Sequence, residues 1–125
     1  MTVVRSSDIE MMLTPGGMAT GSLASPGRGA TEVLVLRQRQ EPGGQNPSHM
    51  QDREEVMIQL SGTATVTVDD RPIQLSAGDI LIVPAHTVHR VVNTGEEPAE
   101  WLLAAPAGVR FFSPTGQEVM PAFIV

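Results

Sequence analysis

Gly43–Gly62 reads GGQNPSHMQDREEVMIQLSG, and it passes from a turn-rich connector into a strand. Gly, Asn, Pro and Ser dominate its opening, residues that favour turns through backbone freedom or side-chain capping. Glu55–Leu60 then has the apolar and β-branched content of a strand, and Ser61-Gly62 turns it. Within the run, His49, Gln51 and Glu55 all fall at odd positions. Residues of equal parity share one face of an extended chain, so the three are expected to point the same way. A second stretch, Gly78–Asn93, reads GDILIVPAHTVHRVVN and adds His89 from another candidate strand. Two imidazoles, a carboxylate and an amide oxygen make a mixed N/O donor set. It suits one divalent transition metal, with Fe, Mn, Ni, Co and Zn all open.

Outward from these stretches the chain reads as short strands and turns. Thr63–Val68, TATVTV, alternates strictly, with Ala64, Val66 and Val68 on one face and threonines on the other. Asp69–Pro72 is a turn. Ile80–Val83 is a continuous apolar run, the pattern of a strand buried on both faces. His89–Val92 and Trp101–Ala105 follow as strands, with Val109–Phe112 and Val119–Val125 as weaker candidates. Upstream, Thr31–Gln40, TEVLVLRQRQ, is a strong strand that places Arg37 and Arg39 on one face and Gln38 and Gln40 on the other. Gly21–Gly29, GSLASPGRG, reads as an irregular surface segment, and Ile9–Thr14 as a short strand. No helical periodicity is sustained, so the class is all-β, a sandwich or barrel. The division expected is an N-terminal arm with edge strands over residues 1–30 and a barrel over 31–125, a single domain overall.

Composition narrows the function. The chain has 125 residues and no cysteine, which excludes disulfides, thiolate metal sites and cysteine nucleophiles. Fourteen acidic against eight basic residues give a net charge of −6, which repels phosphate backbones. With three Phe, one Trp and no Tyr, a base-stacking platform is poorly supplied. No nucleic-acid or membrane partner is expected. The opening residues lack the apolar core of a secretory signal, so a cytoplasmic location is the default expectation.

The two stretches resemble the two cupin motifs. Gly43, His49, Gln51, Glu55 and Gly62 fall at the spacings of the first motif; Gly78, Pro84, His86, His89 and Asn93 fall at those of the second. Two positions depart from the pattern. Gln51 stands where a second histidine is usual, and His86 where a turn glycine is usual. The resemblance implies a cupin double-stranded β-helix, a jelly-roll barrel with a metal in its mouth. It implies His49, Glu55 and His89 as ligands, with Gln51 a fourth if its amide oxygen turns inward. Small cupins include dioxygenases, isomerases, lyases and cyclases, and also non-catalytic binding modules. Catalytic roles fall to Glu55, if it is not a ligand, and to His86, which is either a base or a plain turn residue. Ala64, Val66, Val68, Ile80 and Ile82 are expected to face inward, which suits a small, largely hydrophobic substrate. Exposed edge strands predict a homodimer, with the N-terminal arm reaching across a two-fold axis.

Overall fold

The strict alternation of Ala64–Val68 becomes a strand whose Ala64 and Val66 are fully buried. The computed structural model describes residues 1–121, which form twelve strands and two three-residue 3-10 turns. In chain order the strands are β1 Met12–Thr14, β2 Met18–Ala24, β3 Val33–Gln40, β4 Met50–Gln51, β5 Glu55–Ser61 and β6 Ala64–Val68. There follow β7 Arg71–Leu75, β8 Ile80–Val83, β9 His89–Val92, β10 Ala99–Pro106, β11 Phe111–Phe112 and β12 Glu118–Val119.

One face of the barrel is a six-stranded antiparallel sheet in the order β1-β2-β3-β10-β5-β8. The other is built from two three-stranded sheets, β7-β6-β9 and β12-β11-β4. Isolated bridges Gln45↔Val92 and His49↔His89 tie the connector before β4 to β9. The β6–β7 hairpin turns on Asp69 and Asp70, both at positive φ (48° and 64°), the backbone of a type I′ turn. Gly62 is required where it stands: its φ is 67°, and a Cβ there would lie 2.2 Å from the Pro98 carbonyl oxygen.

Trp101 anchors the main core with Met18, Met57, Val66, Leu75 and Val91. Its buried indole N–H needs an acceptor, and Gln38 Oε1 supplies one at 2.8 Å. Gln38 Nε2 donates in turn to Thr20 Oγ1 at 3.2 Å. Gln40 Nε2 donates to the Val91 carbonyl at 3.1 Å, and Asn93 Nδ2 to the Gln40 carbonyl at 3.0 Å, so side chains stitch the two faces together. On β3, then, the glutamines face inward. Arg37 and Arg39 face out toward Glu100, with Arg37 Nη2 2.7 Å from its Oε2.

Two expectations change. Ile80 and Ile82 do not face the interior: they are 60% and 59% exposed. The register Met57↔Leu81 and Glu55↔Val83 aligns Leu81 and Val83 with the inward residues of β5, which turns the isoleucines outward. Gly21–Ala24 is not loop but the second half of β2, paired with β3; the irregular segment begins at Ser25. A Cβ at Gly21 would meet Met11 Sδ at 2.6 Å and Ile9 Cγ2 at 3.0 Å, so Ile9 and Met11 cover β2 at that point. Of the Val119–Val125 candidate, β12 holds Glu118–Val119, and residues 122–125 lie outside those described.

Candidate functional site

The connector before β4 runs alongside β9, and His49 and His89 meet there as a hydrogen-bonded antiparallel pair. The His49 N–H donates to the His89 carbonyl at 3.0 Å, and the His89 N–H to the His49 carbonyl at 2.9 Å. Residues opposed in this way project side chains from one face, and the ring centroids are 4.4 Å apart. Each ring is held by a carbonyl two residues upstream. His49 Nδ1 lies 2.9 Å from Pro47 O, and His89 Nδ1 lies 2.8 Å from Thr87 O. A carbonyl only accepts, so this network assigns the proton to Nδ1 and leaves Nε2 of each neutral ring with a lone pair.

Glu55 opens β5 with its side chain buried, and its Oε2 is 3.2 Å from His89 Nε2. That oxygen has no hydrogen-bond partner, and neither does the buried Nε2 of Gln51. Two acceptors facing each other in a buried contact are unfavourable until a proton or a cation lies between them. The electrostatics of the rings agree. Burial pushes His89 down, but the nearby Glu55 carboxylate, with the Thr87 carbonyl, outweighs it and raises the pKa above the usual histidine value. Burial, then the neighbouring His89, lowers that of His49.

His49, Gln51, Glu55 and His89 all line one cavity of about 460 Å³. Their convergence does not come from a single strand. Gln51 ends β4, paired with Phe111 of β11, whereas Glu55 starts β5 in the large sheet. The chain crosses from one face to the other at residues 52–54. That crossing is braced by Asp52 N–H to Arg110 O (3.1 Å), Arg110 N–H to Asp52 Oδ1 (2.8 Å) and His86 N–H to Gln51 O (2.7 Å). His86 takes part through its backbone alone. It sits in a turn at φ 61°, exposed, and its ring is not among the residues lining the cavity.

In donor type the four residues fit a divalent ion, and the orphaned Glu55 oxygen marks where positive charge is missing. The set is not closed, however. Among the described residues no group of three or more His, Asp or Glu side chains reaches metal-binding spacing. The remaining cavity wall is mostly apolar, with Met12, Met18, Leu36, Met57, Val91 and Phe111 prominent and Thr14, Gln38, Asn46, Ser48 and Ser113 among them. No arginine appears among the described lining residues, and the sequence has no lysine. Sequence reasoning missed Met12, Met18 and Phe111. The first two come from a segment read as an arm, and only the alternation Met18, Thr20, Ser22 hinted that it enters the barrel.

The family model of the cupin domain matches residues 36–105, which contain all four converging side chains. The chain belongs to the cupin family. Among solved structures, this cupin is similar to the polyketide cyclase RemF from Streptomyces resistomycificus, at 19% identity and TM-score 0.78, over 98% of this chain and 87% of that one. It is also similar to a cupin-superfamily sugar phosphate isomerase from Silicibacter pomeroyi, at 21% identity and TM-score 0.74, over 89% and 80% of the two chains. Likeness at that identity is one of fold. Two curated relatives match over shorter stretches. Endoribonuclease YbeY of Myxococcus xanthus is 34% identical over 76 residues, covering 58% of this chain and 25% of that protein. Auxin-binding protein 1 of Arabidopsis thaliana is 30% identical over 84 residues, covering 60% and 42%. The cupin thus spans less than half the length of either. No helix among its described residues is long and apolar enough to cross a membrane.

Proposed function

We propose that the chain is a divalent-metal-dependent enzyme acting on a small, largely apolar and uncharged organic molecule. One observation carries the reading: two imidazoles tethered through Nδ1 stand side by side in a largely apolar cavity, and Nε2 of one, His89, lies 3.2 Å from the buried Glu55 carboxylate. His49, Glu55 and His89 would hold the ion, with the Gln51 amide as fourth donor. Bound there, the ion supplies fixed positive charge beside a substrate carbonyl or enolate.

The chain's own residues do the rest. The Pro47 and Thr87 carbonyls fix the ring orientations. The methionine- and leucine-rich wall excludes water and strengthens every charge interaction within. Glu55, if it is not held as a ligand, stands ready to take a proton from a substrate carbon and return it, with His89 Nε2 3.2 Å away. Proton-transfer chemistry beside a carbonyl follows, as in isomerisation, cyclisation or dehydration, with dioxygenation the outcome if the ion is redox-active. A phosphorylated sugar would bring a dianion into a cavity with no arginine or lysine among its described lining residues, so a cyclase-type substrate suits the wall better. The cysteine-free sequence fits work in the cytoplasm.

A second reading, a ligand-binding cupin without turnover, is favoured by the open donor set. Elemental analysis of protein purified without added metal, paired with thermal unfolding before and after chelation, separates the two. The enzyme reading expects about one divalent ion per chain and a fall in Tm on chelation. Iron directs attention to oxygen chemistry; zinc or nickel directs it to proton transfer. Metal-free protein with an unchanged Tm leaves the binding module. Gln51→His replaces an amide with a stronger donor and is expected to raise metal retention at limiting metal. If retention does not change, Gln51 does not touch the ion.

A further inference from the structure

We propose that Asn46 is a substrate-binding residue. Its side-chain amide donates to an uncharged oxygen of the substrate, one set apart from the oxygen that reaches His49, Gln51, Glu55 and His89. Asn46 is 9% exposed and lines the same cavity as those four. It stands in the connector before β4, where the following Pro47 restricts it to extended backbone. Two hydrogen bonds fasten it to β9. Its backbone N–H donates to the Val91 carbonyl at 3.2 Å, and the Val91 N–H donates to its Oδ1 at 2.8 Å.

The second bond decides which way the amide lies. A backbone N–H only donates, so the atom it meets is the amide oxygen, and the nitrogen takes the other position. That Nδ2 makes no hydrogen bond among the described residues. It is open rather than sealed, unlike Gln51 Nε2, and the space that Asn46 borders is the cavity. The chain's other asparagine shows the contrast. Asn93 Nδ2 donates to the Gln40 carbonyl at 3.0 Å and the Glu97 carbonyl at 2.8 Å, and its Oδ1 accepts from the Gly95 N–H at 2.9 Å. Asn93 is spent on the fold, whereas Asn46 has its acceptor spent and its donor free. Other polar groups of the wall are spent as well. Gln38 is held by Thr20 and Trp101, and the Thr14 hydroxyl donates to the Met18 carbonyl.

The register sets the spacing. The connector pairs His49 with His89 and Asn46 with Val91, so the two points lie two residues apart on β9. At a strand rise of about 3.4 Å per residue that is roughly 7 Å. His89 and Val91 are both buried, with exposed Arg90 between them, so they share the inward face. A molecule that spans these points carries two uncharged acceptor oxygens several bonds apart on an apolar frame, as a diketone or a hydroxyketone does. Where the first oxygen goes rests on the proposed function; where the second goes rests on Asn46 alone.

Asn46→Asp discriminates, because it keeps an oxygen for the Val91 N–H and replaces the donor with an ionised acceptor. The probes are α-tetralone and tetralin, which share a bicyclic frame and differ by one carbonyl oxygen. Titration calorimetry is run on protein as purified, with its metal content measured alongside. Wild type is expected to bind α-tetralone more tightly than tetralin. Asn46→Asp is expected to weaken α-tetralone about tenfold and to leave tetralin unchanged. Should the variant not fold, NMR of ¹⁵N-labelled wild type replaces it. The Asn46 side-chain amide protons are expected to move downfield with α-tetralone and not with tetralin, while those of Asn93 stay in place. A wild type that does not prefer α-tetralone overturns the proposal. So does equal weakening of both probes by Asn46→Asp, or an Asn46 amide that α-tetralone leaves unmoved. Metal-free protein that keeps the preference and its loss in Asn46→Asp removes the metal-dependent reading and supports Asn46.

Discussion

The two faces of the six-stranded sheet invert the usual arrangement. Its inner face buries amides and hydroxyls, Gln38, Gln40, Gln59 and Thr20, among the core. Over β8, β5 and β10 its outer face exposes isoleucine and leucine. The inner polar groups are tolerable because most are joined: Trp101 to Gln38, Gln38 to Thr20, Gln40 to Val91. Such a network fixes which residues oppose one another across the barrel. The outer isoleucines Ile80 and Ile82 stay more than half exposed among the described residues. Polarity on this sheet therefore follows what each residue is joined to, not which side of the sheet it occupies.

The contrast can be broken hardest at its inner anchor. Trp101→Ala removes a fully buried indole and strands Gln38; a loss of about 3–5 kcal/mol in denaturant unfolding is expected. Gln38→Leu sharpens the contrast. It keeps bulk but leaves the indole N–H without an acceptor, for a loss of about 1–3 kcal/mol; an unchanged midpoint would mean that the inner row owes nothing to its hydrogen bonds. The smallest effect lies on the outer rim. The hydrogen bond from Arg37, then its charge and the Arg39 contacts, hold the Glu100 carboxyl below the usual carboxylate range. A group depressed in the folded state stabilises above its unfolded pKa, and that contribution is lost as pH falls through its folded value. Glu100→Gln should therefore lower Tm modestly at neutral pH, less than either core substitution. The gap to wild type should narrow as pH falls below the usual carboxylate range; a constant gap would detach the rim from its charge.

The fold was legible because turn residues and period-two runs mark nearly every strand, Ala64–Val68 most cleanly. The converging residues were legible too, but by a route other than parity. His49 and Gln51 belong to one face of the barrel and Glu55 to the other, and a turn at residues 52–54 happens to preserve their common direction. What sequence could not resolve was direction within uninterrupted apolar runs. Ile80–Val83 has no alternation to read, and only its register against β5 decides which residues turn in. His86 misled in another way: its spacing marked it as part of the motif, while its contribution is a backbone N–H that any residue tolerating that turn would supply.

The tethers on the two imidazoles also bear on how the barrel assembles. Each ring leans on the carbonyl two residues before it, so its orientation is fixed by a contact that closes almost no loop. His49 and His89 themselves are distant in sequence and meet only when the connector zips onto β9. The chain thus carries two half-sites that are oriented locally, and a single long-range pairing event brings them together.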